Sequence, residues 1–291
     1  PLAHGSGGNT SAALRRERFL PHFGNPVLDQ LGDGAVVDLQ GTELAFSTDT
    51  FVVSPLEFPG GNIGSLAVHG TVNDLAMVGA TPRFLSAGFI IEEGMPFDLL
   101  ERILAAMGNA ARAAGVLLVT GDTKVVERGK ADGVYINTTG IGALHPEFRP
   151  GPDRAEAGDA VVVSGPIGRH GMAIMATREQ LGFEADAASD SANLTPLVDA
   201  LRIKLGARVH VLRDPTRGGL ASALNEIAAA SGVGIELDES AVPVPAAVAA
   251  ACEMLGLAQI YVTKEGVMLE NLPAEDAARS VALRRDHQTG E

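Results

Sequence analysis

The sequence predicts a protein of two domains, each of which combines helices with strands. The first observation is length, because 291 residues are enough for two separate hydrophobic cores. The second is a break over residues 146–158, where prolines and glycines interrupt any periodicity. The third is the restart at Asp159, where an apolar run leads into a glycine-rich turn and a helical segment. We therefore expect a first domain over residues 1–145, a linker, and a second domain over residues 159–291.

The composition is that of an acidic globular protein. Hydrophobic residues make up 46% of the chain, charged residues 20%, and the formal net charge is −14. This charge argues against a nucleic-acid partner, because phosphate backbones require a basic surface. No apolar run is long enough to span a membrane and no signal peptide is visible. With a single cysteine, Cys252, in an apolar helical stretch, we expect a cytoplasmic protein with no membrane partner.

The segment over residues 69–80 predicts a helix that carries polar groups among apolar ones. Gly70, Asn73, Asp74 and Met77 recur at helical spacing and share a broad face. A carboxylate on such a face is costly unless it is paired or bound to a cation. Two interpretations stay open at this point: Asp74 binds a metal ion or a cation–phosphate complex, or it caps a local group and faces water.

Three more aspartates lie at the expected ends of strands. Asp33 begins one strand and Asp49 ends the next, so an antiparallel hairpin brings them together. Asp122 follows an apolar strand, and the polar turn expected there also carries Lys124. Each of them is otherwise an ordinary turn residue. Convergent carboxylates with a lysine are typical of a site for magnesium and a triphosphate, and no Walker motif is present. The pattern indicates an ATP-dependent enzyme with a site that is not a P-loop.

Two further segments are typical of anion binding. The glycines at residues 5–8 allow main-chain N–H groups to converge on a phosphate, although a plain N-terminal tail has the same composition. The segment over residues 213–219 places Asp214, Thr216 and Arg217 at the start of a predicted helix with exposed N–H groups. Glu265 lies in a segment whose pattern indicates only a hairpin.

Six segments occur in an order that is familiar from one family. They read His-Gly-Ser-Gly-Gly (4–8), Ser-Thr-Asp-Thr (47–50), Asn-Asp-Leu-Ala (73–76), Thr-Gly-Asp-Thr-Lys-Val-Val (120–126), Gly-Pro-Ile-Gly-Arg-His-Gly (165–171) and Arg-Asp-Pro-Thr-Arg-Gly-Gly (213–219). The chain resembles, over nearly its whole length, the HypE family of hydrogenase maturation proteins. This family belongs to the aminoimidazole ribonucleotide synthetase-like superfamily of ATP-binding proteins.

The resemblance implies two α/β domains, with the first domains of two chains pairing into a β-barrel across a homodimer. It implies ATP in the cleft between the barrel and the second domain. The magnesium ligands would be Asp33, Asp49, Asp74 and Asp122. The residues expected to contact ATP are Gly5, Ser6, Gly7, Gly8, Asp49, Asn73, Asp74, Gly121, Asp122, Thr123, Asp214, Thr216 and Arg217.

The implied reaction is the ATP-dependent dehydration of a carboxamide on a C-terminal cysteine sulfur to a thiocyanate. In the family this group supplies the cyanide ligands of nickel–iron hydrogenase. By resemblance, Glu265 is the base that removes protons from the amide nitrogen, and Lys124 orients or stabilises the reacting group. The implied partners are a carbamoyltransferase maturation protein and the HypC–HypD scaffold complex.

The sequence departs from the family pattern in two places. The family ends in Pro-Arg, an apolar residue and Cys, and no such motif follows Arg284. The family also has Asn-Glu-Gly-Lys where residues 264–267 read Lys-Glu-Gly-Val. Two alternatives therefore remain: a non-catalytic nucleotide-binding scaffold of hydrogenase maturation, and a phosphotransferase similar to selenophosphate synthetase. The second usually carries a cysteine or selenocysteine near its N-terminal loop, and this sequence has neither there.

Overall fold

The computed structural model describes residues 8–30, 32–178, 188–216, 218–256, 258–261 and 265–287. The helices are α1 (Gly8–Leu14), α2 (Leu20–Phe23), α3 (Ile63–Met77), α4 (Phe97–Ala113), α5 (Arg169–Arg178), α6 (Thr195–Lys204), α7 (Gly219–Ser231), α8 (Ala246–Leu255) and α9 (Ala277–His287). The strands are β1 (Ala35–Leu39), β2 (Thr42–Phe51), β3 (Glu57–Phe58), β4 (Gly61–Asn62), β5 (Ala80–Glu92), β6 (Leu117–Val126), β7 (Val134–Leu144), β8 (Asp159–Val163), β9 (Val211–Arg213) and β10 (Leu269–Pro273).

In the described part of the N-terminal half, five strands form a mixed sheet in the order β1-β2-β7-β5-β6. Strands β1 and β2 are antiparallel neighbours, as the sequence predicts for the strands beside Asp33 and Asp49. Helices α3 and α4 pack on one face of the sheet, and a core that includes Ile63, Leu85 and Ile103 fills the space between. The other face carries no helix from the described residues of this half, and its apolar side chains are exposed.

Helix α3 is held firmly at its start and enclosed along its length. The Asn62 side chain accepts hydrogen bonds from the main-chain N–H groups of Gly64 and Ser65, and the Ser65 side chain completes a capping box. Past the sheet, its last turn packs on the C-terminal half, where Met77 joins Leu201 and Leu272 in a shared core. The helix therefore fixes Asp74 at the junction of the two halves.

The C-terminal half is built on a smaller antiparallel sheet. In the described residues its order is β8-β10-β9, with β10 paired to both neighbours. The described residues do not form the hairpin predicted around Glu265, because residues 259–261 make a 3-10 turn and β10, which begins at Leu269, pairs with β8 and β9. Residues 262–264 of the predicted hairpin lie outside the described residues. None of the helices in the described ranges has the length and apolar character needed to cross a membrane.

Strand β6 also differs from the prediction. The sequence indicates a polar turn after Val119, whereas the strand continues to Val126 through Gly121, Asp122 and Lys124. It runs parallel to β5 along the edge of the sheet, and almost every residue in it is exposed. Parallel pairing with β5 supplies main-chain partners for these polar residues, which is why they need no turn.

Candidate functional site

Three carboxylates from separate segments meet at the junction of the two halves. Asp33 precedes β1, Asp74 lies on α3, and Asp214 directly follows β9. One carboxylate oxygen from each lies within 4.8 Å of the others. Hard divalent cations take oxygen ligands of this kind. The donor set therefore fits a magnesium ion.

A buried arginine lies beside these carboxylates. Arg213 forms an ion pair with Asp33 at 3.1 Å and a second, closer one with Glu226 on α7. Burial alone would lower the pKa of Arg213, but the surrounding charges of Asp33, Glu226, Asp214 and Asp74 raise it above its ordinary value. Arg15 also lies 3.6 Å from Glu226, so two guanidinium groups face four carboxylates. The region keeps an excess of negative charge, which favours a bound cation.

The ionised form of Asp74 is disfavoured by its surroundings. Burial, followed by the charges of Asp214, Asp33 and Asp49, raises its pKa well above the ordinary aspartate value. A hydrogen bond of 2.7 Å from Ser47 Oγ to Asp74 Oδ2 acts in the opposite direction. Because burial and neighbouring negative charges disfavour its ionised form, a nearby cation stabilises the Asp74 carboxylate more than it would stabilise an exposed carboxylate.

Asp49 borders the group without belonging to it. It lies on the face of β2 that meets α3, because a Cβ atom built on Gly70 would lie 3.7 Å from Asp49 Oδ2. Gly70 is one helical turn before Asp74, and its small size leaves room for the Phe51 ring as well as Asp49. Asp49 is thus close enough to influence the pKa of Asp74.

The expected convergence of four aspartates does not occur within one chain. One row across the sheet leads from Thr50, which follows Asp49 on β2, to Asp122 on β6. The row passes through Asn137 on β7 and Gly88 on β5. Three strand spacings separate the two ends of this row by about 14 Å. Asp122 lies on the helix-free face of the sheet, opposite the face that carries Asp49. There it accepts a 2.6 Å hydrogen bond from Lys124. Its predicted role as a magnesium ligand beside Asp74 is not met in the single chain.

The remaining predicted residues fall into three groups. Asn73 is fully buried, and its amide group bonds main-chain atoms of residues 192, 194 and 265. Thr216 is partly buried near the start of α7, Gly8 begins α1, and Gly121 and Thr123 flank Asp122 on the edge strand β6. Gly5, Ser6, Gly7 and Arg217 lie outside the described residues.

Sequence reasoning missed two side chains and placed a third differently. Ser47 and Arg213 lie within the Ser-Thr-Asp-Thr and Arg-Asp-Pro-Thr motifs, but their residue types alone indicate no role in the site. Asp214 was expected to contact ATP, whereas the structure groups it with Asp33 and Asp74. The available signal is the position of Asp214 directly after strand β9.

Comparison with known proteins places the chain in a family. The model of the AIR synthase related protein N-terminal domain matches residues 31–144, and that of the C-terminal domain matches residues 156–289. A carbamoyl dehydratase HypE of Azotobacter vinelandii is 51% identical over 289 residues, covering 99% of this chain and 84% of that protein. The chain belongs to the HypE family. The resemblance found in the sequence motifs and the predicted two-domain α/β fold are both confirmed.

Solved structures of HypE proteins have the same fold as this chain. A HypE chain in a crystal structure of a HypE–HypF complex is 45% identical, with a TM-score of 0.90 over 95% of this chain and 89% of that one. A HypE crystallised in complex with ATP is 52% identical, with a TM-score of 0.82 over 98% of this chain and 84% of that one.

Proposed function

We propose that the protein is an ATP-dependent carbamoyl dehydratase that converts a cysteine S-carboxamide into a thiocyanate during hydrogenase maturation. The observation that carries this proposal is the meeting of Asp33, Asp74 and Asp214 within 4.8 Å in a chain of the HypE family. Such a carboxylate group suits a magnesium-bound triphosphate. We expect the reaction to take place in the cytoplasm.

The chemistry requires activation of a poor leaving group. The γ-phosphoryl group of ATP passes to the carboxamide oxygen, ADP leaves, and the nitrogen loses one proton. The C–O bond then breaks, phosphate departs with the oxygen, and loss of the second N–H proton leaves the C≡N group. Magnesium bound by Asp33, Asp74 and Asp214 would supply positive charge next to the phosphates. Arg213 pairs with Asp33 at 3.1 Å and so helps to orient its carboxylate for that task.

The two proton transfers need a base close to the reacting nitrogen. We assign this role to Glu265, which lies at the junction of the two halves, where its main-chain oxygen meets Asn73 on α3. The thiol that carries the carboxamide is not Cys252, whose side chain is buried at 1% exposure. We propose instead a C-terminal cysteine of the natural protein, as in the family.

We further propose that the working unit is a homodimer formed through the helix-free face of the N-terminal sheet. A row of exposed apolar side chains crosses this face at register-paired positions: Phe46, Ile141, Phe84 and Leu117. Contiguous exposed apolar side chains often mark subunit contacts. Asp122 and Lys124 lie on the same face, and we propose that they serve the aspartate site of the second copy.

The partners follow from the reaction. A carbamoyltransferase must supply the carboxamide, which agrees with a HypE having been crystallised with HypF. A HypC–HypD scaffold is the expected acceptor of the cyanide group.

The proposal is tested by the intact mass of the natural gene product after incubation with the carbamoyl-transferring partner, carbamoyl phosphate and ATP. We expect the gain of one carbamoyl group followed by the loss of one water, with the second step absent in Asp74→Asn. A protein that binds ATP but never changes mass would contradict the enzyme and support the non-catalytic scaffold.

A further inference from the structure

The segment over residues 189–194, which we call the strap, lies between helix α3 and the C-terminal half. Ser189 fixes the N-terminal end of the strap through two contacts. Its N–H donates to Pro59 O at 2.8 Å, and its Oγ lies 2.8 Å from His170 Nδ1. In its middle, Ser191 Oγ lies 3.1 Å from His69 Nδ1 on α3. The strap is therefore held from both halves of the molecule.

Asn73 holds the other end of the strap. Its Nδ2 donates to Ala192 O at 2.9 Å, and its Oδ1 accepts from Leu194 N at 2.9 Å. The same Nδ2 lies 3.4 Å from Glu265 O, which suits its second hydrogen. The side chain is fully buried. The donors and the acceptor of the Asn73 side chain are thus used by main-chain groups. This differs from the contact with ATP that the sequence predicts for Asn73.

The segment that carries Glu265 lies directly against the strap. A Cβ atom built on Gly266 would be 1.5 Å from Asp190 O and 3.1 Å from Ala192 N. Only glycine allows so close a main-chain approach. Glu265 is consequently fixed by two contacts, one to the strap through Gly266 and one to Asn73.

We propose that Asn73 is a positioning residue that sets the Glu265 main chain relative to the metal-binding carboxylate of Asp74. These two adjacent residues of α3 have different partners. Asp74 lies next to Asp33 and Asp214, whereas Asn73 hydrogen-bonds to the strap and to the main chain of Glu265. This inference rests on the proposed role of Glu265 as the base. General bases must lie within hydrogen-bond reach of the proton that they remove, and a displacement of about 1 Å costs on the order of a hundredfold in rate.

The test uses Asn73→Asp in the full natural gene product. The substitution keeps the size of the side chain and the oxygen that accepts from Leu194, but it turns the donor toward Ala192 O and Glu265 O into a second oxygen. The matched control is Asn193→Asp, which adds the same charge within the strap. There the Asn193 oxygen that caps Thr195 N is retained.

The measurements are the single-turnover rate of water loss at saturating ATP and the dissociation constant of ATP with magnesium. For Asn73→Asp we expect the rate to fall about tenfold to a hundredfold and the dissociation constant to change less than about threefold. Asn193→Asp should leave the single-turnover rate and the dissociation constant of ATP unchanged. A weaker ATP complex with an unchanged saturated rate would overturn the inference and restore Asn73 as a nucleotide ligand.

Glu265→Gln separates this inference from the proposed function. An inactive Glu265→Gln beside a fully active Asn73→Asp overturns the positioning role alone. A fully active Glu265→Gln overturns the base assignment and, with it, the role given to Asn73.

Discussion

Ser47 Oγ on β2 donates a 2.7 Å hydrogen bond to Asp74 Oδ2 on α3, and it also lies 3.2 Å from Asp33 O. One hydroxyl thus joins the sheet, the central helix and the segment before β1. It lowers the pKa of Asp74 against the combined effects of burial and neighbouring carboxylates, which raise it. Ser47 therefore helps to keep Asp74 in the ionised form that a cation needs.

Removing this hydroxyl should weaken the metal site. We expect Ser47→Ala to reduce the affinity for magnesium–ATP about tenfold, since hydrogen bonds to charged groups contribute about 1.5–3 kcal/mol. Isothermal titration calorimetry measures the change. The matched control is Ser240→Ala, which removes a serine–aspartate hydrogen bond of 2.6 Å on the exposed surface. Equal affinities in the Ser47 variant and the wild type would remove Ser47 from the site.

The two histidines that contact the strap predict a pH dependence of stability. Burial lowers the pKa of His69 and of His170 from 6.5 to about 4. Between these values the unfolded chain binds more protons than the folded one, so stability falls as pH decreases from about 6.5 toward 4. Each histidine contributes a slope of about 1 kcal/mol per pH unit in that window, and neither contributes above it.

Urea unfolding at several pH values measures this slope. We expect His69→Asn and His170→Asn each to flatten the acid side of the stability curve. His22→Asn serves as the control, because His22 lies on the exposed surface. An unchanged slope in both His69→Asn and His170→Asn would show that these rings are not the groups that take up protons on unfolding.

The apolar row on the helix-free face predicts the oligomeric state. Phe84 is 45% exposed and lies between Ile141 and Leu117 in register. We expect Phe84→Asp to convert a dimer into a folded monomer, because a buried unpaired charge at a subunit contact is costly. Sedimentation velocity measures this, with Phe97→Asp as the control at an exposed position on α4. A dimeric Phe84→Asp would place the subunit contact elsewhere.

The distance between Asp122 and the aspartate cluster predicts complementation between subunits. If Lys124 serves the site of the second copy, Asp74→Asn and Lys124→Ala are each inactive alone. A mixed dimer then keeps one intact site, so an equal mixture allowed to exchange should regain about a quarter of wild-type activity. A mixture that stays inactive after proven exchange would place Lys124 and Asp74 in the site of the same chain.

Local features of the site were readable from the sequence. Helix α3 and the β1–β2 hairpin follow from periodicity and turn residues, and they carry Asp74 and Asp33 where expected. The start of α7 after residues 213–218 also follows from its proline and glycines. These predictions succeed because local geometry determines them.

Long-range placement was not readable. Asp122 lies in the same kind of polar, glycine-flanked segment as the clustered aspartates, but sheet order sends β6 to the far edge. The approach of Asp214 to Asp74 depends on how the two halves pack, which no local pattern encodes. Asn73 illustrates the same point, since its partners at residues 192, 194 and 265 lie far along the chain.

The central claim is that the carboxamide oxygen leaves with phosphate, and an isotope experiment tests it most directly. The cysteine carboxamide is prepared with a heavy oxygen isotope in its carbonyl group, ATP is added, and the inorganic phosphate is analysed by mass spectrometry. The account predicts that the heavy oxygen appears in phosphate in step with the loss of water from the protein. Phosphate without the label, formed while the protein loses the labelled oxygen as water, would contradict phosphoryl transfer to the carboxamide.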